Sequence, residues 1–134
     1  MGATANQISA TAPGIGDAVS DGSIYAGASP DTGKPMYTTP KDTGLCAAWR
    51  KAMKHAAGLD AHGHKDWRVP TQAELHVLFT NRAAIGNFDT STTGGWYWSS
   101  SRVNFFYAWT QGFSGGYRYY DSRNGHSSLR CVRG

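Results

Sequence analysis

The sequence predicts a single α+β domain, and three observations carry that reading. Apolar residues recur at helical spacing in two successive segments, over residues 43–57 and 71–80, and two helices in a row do not fit an alternating β-α-β plan. Short apolar clusters divided by turn residues precede and follow them, as strands do. The 134 residues are 40% hydrophobic and 16% charged, with 17 glycines and 17 aromatics (five Trp, seven Tyr, five Phe), enough for one core and unlike a helical bundle or a disordered chain.

Taken in order, residues 1–22 are small and polar with little periodicity, so a mobile leader or arm is expected there and the domain proper over 23–134. Ser23 to Ala26 and Pro35 to Thr39 read as short strands around the turn Ser29-Pro30-Asp31-Thr32-Gly33. From about Thr43, the residues Cys46, Trp49, Ala52, Met53 and Ala56 fall three and four apart, which predicts a first amphipathic helix ending at Gly58, with His55 on its polar side. Thr71-Gln72-Ala73-Glu74 has the form in which a hydroxyl and a carboxylate satisfy each other's free backbone amides, so a second helix starts at Thr71. Leu75, Leu78 and Phe79 give that helix its apolar stripe, and 81–86 end it. After Phe88 helical spacing disappears, and Leu129 to Arg133 alternates like a closing strand. A loop-rich C-terminal half is therefore expected.

Charge and aromatics are both lopsided. The net charge is +4, and residues 1–98 balance, so the whole excess lies in Arg102, Arg118, Arg123, Arg130 and Arg133 set against Asp121 alone. Eleven of the 17 aromatics fall in residues 96–120. Consecutive rings such as Phe105-Phe106-Tyr107 and Tyr119-Tyr120 cannot all point inward from an extended chain, so several face solvent. Such a segment has features that hold single-stranded nucleic acid, but three arginines ahead of the final strand, with no lysine, make too weak a field, and nucleic acid is not expected as a partner. No apolar run reaches the ~20 residues of a membrane span, and the first ten residues lack a basic segment followed by an apolar one, so no secretory leader is expected.

Catalytic chemistry is sparse. The chain has no G-x-S-x-G, no phosphate-binding glycine loop and no H-E-x-x-H, and its single glutamate, Glu74, is already used as a cap. His62-Gly63-His64 with Asp60 and Asp66 offers metal-ligand atoms, but as a turn pattern it reads first as a solvated bend. Cys46 and Cys131 lie 85 positions apart without a CxxC partner, and either a disulfide or two buried thiols satisfies the sequence. Residues 99–128 hold Tyr, Ser, Gly and Asn at seventeen of thirty positions, the mix that antibody loops use to bind by shape.

Several blocks together resemble a known family. Gly63-His64-Lys65-Asp66-Trp67-Arg68-Val69-Pro70-Thr71, Glu74-Leu75, Asn81-Arg82-Ala83-Ala84-Ile85-Gly86, Gly95-Trp96-Tyr97-Trp98-Ser99-Ser100 and Ser127-Ser128-Leu129-Arg130-Cys131-Val132-Arg133 resemble the variable proteins of diversity-generating retroelements, from about Ser23 to the C-terminus. The resemblance implies a C-type lectin fold of the formylglycine-generating-enzyme-like subgroup, with two helices flanking a small antiparallel sheet. It also implies a phage or bacterial protein that binds a ligand or receptor. In that family a reverse transcriptase copies a template repeat with errors at adenines, and the copy replaces the end of the gene.

Carried onto this chain, the scaffold would be Trp98, Ala108, Trp109, Gln111, Phe113, Gly116 and the last strand. The diversified ligand-binding positions, within a segment of about 101–126, would be Arg102, Val103, Asn104, Phe105, Phe106, Tyr107, Thr110, Gly112, Gly115, Tyr117, Arg118, Tyr119, Tyr120, Asp121, Ser122, Arg123, Asn124, Gly125 and His126. Their residues agree with adenine substitution, since Lys, Glu, Met and Trp are absent. The resemblance also favours a disulfide between Cys46 and Cys131.

The sequence therefore predicts a non-enzymatic binding module without cofactor or metal, whose partner is a macromolecular ligand such as a protein or cell-surface receptor. The compartment stays open between cytoplasmic, phage-borne and surface-displayed. Two other readings are carried forward: an enzyme of the formylglycine-generating type or a metal-dependent one on the His62/His64 turn, and an invariant tail-fibre or surface domain. The calcium-site motifs of sugar-binding lectins (Glu-Pro-Asn, Gln-Pro-Asp, Trp-Asn-Asp) and the second cysteine of the formylglycine chemistry are missing.

Overall fold

A computed structural model describes residues 13–134. The expected leader or arm over 1–22 lies outside the described residues as far as residue 12. Along the chain come β1 (Ile24–Ala28), β2 (Pro35–Thr38), β3 (Cys46–Ala47), α1 (Trp49–Ala57), α2 (Gln72–Thr80), α3 (Arg82–Ile85), β4 (Trp96–Arg102), β5 (Tyr107–Gly112), β6 (Arg118–Ser122), β7 (Ser127–Ser128) and β8 (Val132–Arg133). The architecture is mixed α+β, in keeping with a C-type-lectin-like fold.

The strands make two sheets where one was expected. The smaller has the order β1-β2-β8, and the larger β3-β7-β4-β5-β6. All pairs are antiparallel except β4 with β7, which meet in parallel at Tyr97 and Ser128. The closing strand is correspondingly shorter than predicted: Leu129, Arg130 and Cys131 are all buried in succession, between β7 and β8, and do not alternate.

Each face of the larger sheet has its own core, and the period of two along β4 divides them. Trp98 points into one core with Trp49, Ala52 and Ala56 of α1 and with Trp67, Val69, Ala108, Leu129 and Cys131. Its neighbour Tyr97 points into the other, with Leu75 and Leu78 of α2, Phe113, Met36, Ala26, Ile85 and Val132. Full burial of each large apolar side chain contributes roughly 1.5–3 kcal/mol, so these two layers supply most of the drive to fold.

Helix α1 begins at Trp49, later than the spacing predicted, because Cys46 and Ala47 pair instead with Ser128 and Ser127. A helical periodicity starting at Cys46 is overridden by a strand partner, Ser128, far along the sequence, which spacing cannot reveal. Helix α2 starts where the motif places it. The Thr71 hydroxyl accepts from the Glu74 amide at 3.2 Å, and the Glu74 carboxylate accepts from the Thr71 amide at 3.0 Å. The segment 81–86, expected only as a terminus, holds the four-residue α3 before leaving through Gly86.

Two buried charges join distant parts of the chain. Glu74 also accepts from Ser29 Oγ at 2.6 Å and from both Arg68 Nη atoms at 2.5 and 2.8 Å. Burial opposes its charge, but these donors outweigh that and bring the carboxyl down to about 2. Arg130, fully buried, donates to the carbonyls of Thr39, Gly86 and Asn87 and to Asp42, and its guanidinium lies 4.1 Å from the Phe88 ring centroid. The sequence counts Arg130 toward the basic excess of the last quarter, but this charge is spent inside the fold.

The cysteines are also corrected. Cys46 is an exposed free thiol at the start of β3, and Cys131 is a free thiol in the core, where burial pushes it up to about 12. The structure has neither the bridge nor the pair of buried thiols.

Candidate functional site

The nineteen positions singled out by sequence fall on the β4–β5 loop, the β5–β6 hairpin and the turn that follows β6. The β4–β5 loop is built by Asn104. Its side-chain oxygen accepts from the amides of Phe106 (2.8 Å) and Tyr107 (3.0 Å), while Val103 N–H donates to the Tyr107 carbonyl at 2.9 Å. With the backbone satisfied inside so tight a loop, the side chains of Phe105 and Phe106 have only solvent to enter, and they are 65% and 66% exposed.

Arg123 fastens this loop to the body. Its guanidinium donates to the Phe105 carbonyl at 2.6 Å and lies between the rings of Trp49 (4.7 Å) and Phe105 (5.2 Å). Its amide donates to Phe106, and its carbonyl accepts from the Trp49 amide at the start of α1. Arg123 therefore acts within the fold, against the expectation that it would serve a ligand. One atom of it, Nε, is buried without a partner.

On the hairpin, Tyr117, Tyr119 and Tyr120 are exposed. Tyr119 and Tyr120 stack at 5.3 Å, and Tyr120 meets Tyr107 and Trp109 edge-on at 5.5 and 5.7 Å. Such ring pairs hold one another rigid and contribute ~0.5–1.5 kcal/mol each beyond burial. Arg102, Val103, Arg118, Gly115, Asn124 and His126 are exposed as well, and Asp121, Ser122 and Gly125 are half-buried. Asp121 Oδ1 accepts from the Ser122 amide at 2.8 Å, and Gly125 N–H donates to the Ser122 carbonyl to close the turn.

Thr110 and Gly112 stand apart from the rest, since both are buried. Thr110 donates to the Tyr119 carbonyl at 2.8 Å, and a Cβ on Gly112 would approach the Trp96 ring to 3.3 Å. Ala108 and Gln111 of the same strand are buried with them, Trp109 is half-buried, and Tyr107 is its exposed residue.

The face carries two concavities. One, about 530 Å³, is walled by Phe105, Phe106, Tyr107, Ser122, Arg123 and Asn124 and closed by Ala48 and Arg50 from the start of α1. The other, about 320 Å³, has Thr110, Tyr119, Asp121 and His126 on one side and Cys46, Trp96, Ser127 and Ser128 on the other. Arg50, Trp49, Trp96 and Cys46 were not singled out by sequence for this face. They enter through long-range pairing, and no local motif marks them. None of the four ion pairs among the described residues uses Arg102 or Arg118, so these two exposed guanidinium groups have no carboxylate partner within the fold.

The support beneath is polar and buried. Gln111 Nε2 donates to His76 Nδ1 at 2.9 Å and to the Gly116 carbonyl at 3.1 Å. Gly116 has φ +84°, and a Cβ there would stand 2.6 Å from the Phe79 ring. The histidines of the 62–64 turn lie elsewhere, on Asp21: His64 Nε2 is 2.8 Å from its carboxylate and His62 Nδ1 3.1 Å from its carbonyl. Among the described residues, no cluster of three or more potential metal ligands occurs and no helix is long and apolar enough to cross a membrane.

In a comparison with known families, the family model described as the Lcl C-terminal domain matches residues 23–133. No curated protein matches the chain.

Proposed function

The chain belongs to the Lcl C-terminal domain family, and from that premise we propose that it is a non-enzymatic module whose C-terminal face captures a macromolecular ligand and is diversified by adenine-directed retrohoming. The family is the lectin-fold, variable-protein domain that the motif blocks resemble, and a binding role belongs to it. The observation that carries the proposal is the exposure of large rings on a rigid support. Phe105, Phe106, Tyr117 and Tyr119 are each more than 60% exposed, while the strands beneath them are buried in two cores. Isolated exposed rings are common, but six within sixteen residues on one hairpin and its adjoining loop amount to a contact surface.

Rigid rings bring area at little cost in side-chain entropy, and arginines orient a partner by forked hydrogen bonds. In this reading Phe105, Phe106, Tyr107, Tyr117, Tyr119 and Tyr120 supply contact area, while Arg102 and Arg118 supply direction. The test is the source locus: a near-copy of the last hundred or so nucleotides of the gene, mismatched chiefly at adenines and beside a reverse-transcriptase gene, is expected. A locus without that repeat refutes diversification. Independently, the double variant Tyr119→Ala/Tyr120→Ala should melt within a few degrees of the parent, and a large loss would show these rings to be core.

A further inference from the structure

Among the described residues four strand edges bound the two sheets, and three of them are protected. Along β1, residues 16–18 lie alongside: Gly16 N–H donates to Tyr25 O, Tyr25 N–H donates to Asp17 O, and Ala18 bridges Ile24. Along β8, Arg68 exchanges both backbone bonds with Val132, at 2.8 and 2.9 Å. The edge at β3 is two residues long and runs at once into α1. The remaining edge is β6, five residues in unbroken register with β5 and without proline, lysine or bulge. Proteins ordinarily blunt such an edge, because it is a template for another strand.

The backbone atoms it offers follow from its bonds to β5. Tyr117 O accepts from Gly112 N–H, Tyr119 O accepts from the Thr110 hydroxyl, and Arg123 N–H donates to Phe106 O, so the odd-numbered residues turn their polar groups inward. The amides and carbonyls of Arg118 and Tyr120 then point away from the sheet. Ser122, next in that row, is already satisfied by Asp121 and Gly125.

We infer that this edge binds its ligand by strand addition, pairing the backbone of Arg118 and Tyr120 with an extended polypeptide segment. The inference rests on the reading of this face as the ligand-binding one and names its partner class. Arg118 and Tyr120 lie on the same side of the strand, and Arg118 has no carboxylate partner among the described residues. The segment therefore carries a carboxylate opposite Arg118 and, two residues along, a branched or aromatic side chain opposite the Tyr120 ring.

The probe is a display library of random linear decapeptides selected on the immobilised protein. Selected peptides should be enriched in Asp or Glu two positions from an apolar residue. Adding one should slow hydrogen exchange at the Arg118 and Tyr120 amides at least tenfold. Tyr120→Pro loses the ring as Tyr120→Ala does and in addition an outward-facing amide that β5 does not use, so with a fold matched to Tyr120→Ala by melting temperature it should weaken binding at least tenfold more. Failure to select any peptide, or binding without protection of those two amides, overturns strand addition. Peptides lost on Phe105→Ala/Phe106→Ala yet indifferent to Tyr120→Pro leave the face as the binding surface and remove the edge from it. Peptides indifferent to both sets remove both readings. If the two amides are protected without peptide and the protein sediments as a dimer, a second copy occupies the edge and the inference is wrong.

Discussion

Replacing Glu74 by Gln tests the architecture at one atom pair. Gln keeps the length and one oxygen, which can still accept from the Thr71 amide, so the helix cap survives. The other side of the amide, however, turns hydrogens toward Arg68 and Ser29, which are donors. The carboxyl lies at about 2 in the fold against an ordinary 4.5, and at ~1.4 kcal/mol per pH unit that difference corresponds to about 3 kcal/mol of stability near neutrality. Losing one partner of a buried ion pair costs ~3–5 kcal/mol by an independent route. For a domain of this size about 3 kcal/mol lowers Tm by roughly 10 °C.

The pH dependence has a definite sign. Because the folded value is depressed, the stabilisation is complete above 4.5 and is lost as pH falls from there toward 2. Urea unfolding of parent and Glu74→Gln should be compared at pH 7 and at steps down to pH 3, so that the difference between the two curves isolates this group from Asp21, Asp66 and Asp89, which are also depressed. The gap should be widest at pH 7 and shrink on acidification. A loss below ~1 kcal/mol at pH 7, or a gap that does not narrow, refutes the assignment.

Three further outcomes are expected. Arg130→Met strands Asp42 and three carbonyls and should destabilise by ~3–5 kcal/mol in urea, whereas a change under 1 kcal/mol would mean water replaces the guanidinium there. Gly116→Ala forces a methyl against Phe79 at positive φ and should lower stability by ~1–3 kcal/mol, with Phe79→Ala relieving the clash but not the φ strain in the double variant. Ellman's reagent should titrate one thiol rapidly in the native protein, Cys46, and the second only after unfolding; two unreactive native thiols would refute the exposed position of Cys46.

What was legible in the sequence was local. The Thr71 and Glu74 cap is complete within four residues, and β1, β2 and α2 have boundaries written by Pro, Gly and short apolar runs. Crowded rings at 105–107 and 119–120 announced exposure through strand geometry alone. What was hidden depends on partners far along the chain: Cys46 joins Ser128 rather than a helix, Arg130 finds four acceptors from two separate segments, 39–42 and 86–87, and Arg123 is drawn over Trp49. Arginine is the instructive case, because the sequence counts its charge and says nothing of whether carbonyls surround it. Thr110 and Gly112 show the same limit on a smaller scale, since β5 is buried from Thr110 to its end although Tyr107 at its start is exposed.

The parallel meeting of Tyr97 with Ser128 has a thermodynamic consequence. It fixes the entry and exit of residues 102–126 side by side before anything between them is specified. The entropy of closing that loop depends on its length and its end points, so it is a constant offset for every sequence of equal length threaded between the same two anchors. In the reading proposed above, stability and recognition are thereby separated into different variables. Substitutions at the exposed positions would move the second, and the first would shift by what they do to the inward-facing residues of the segment, Ala108, Thr110, Gln111, Gly112 and Phe113.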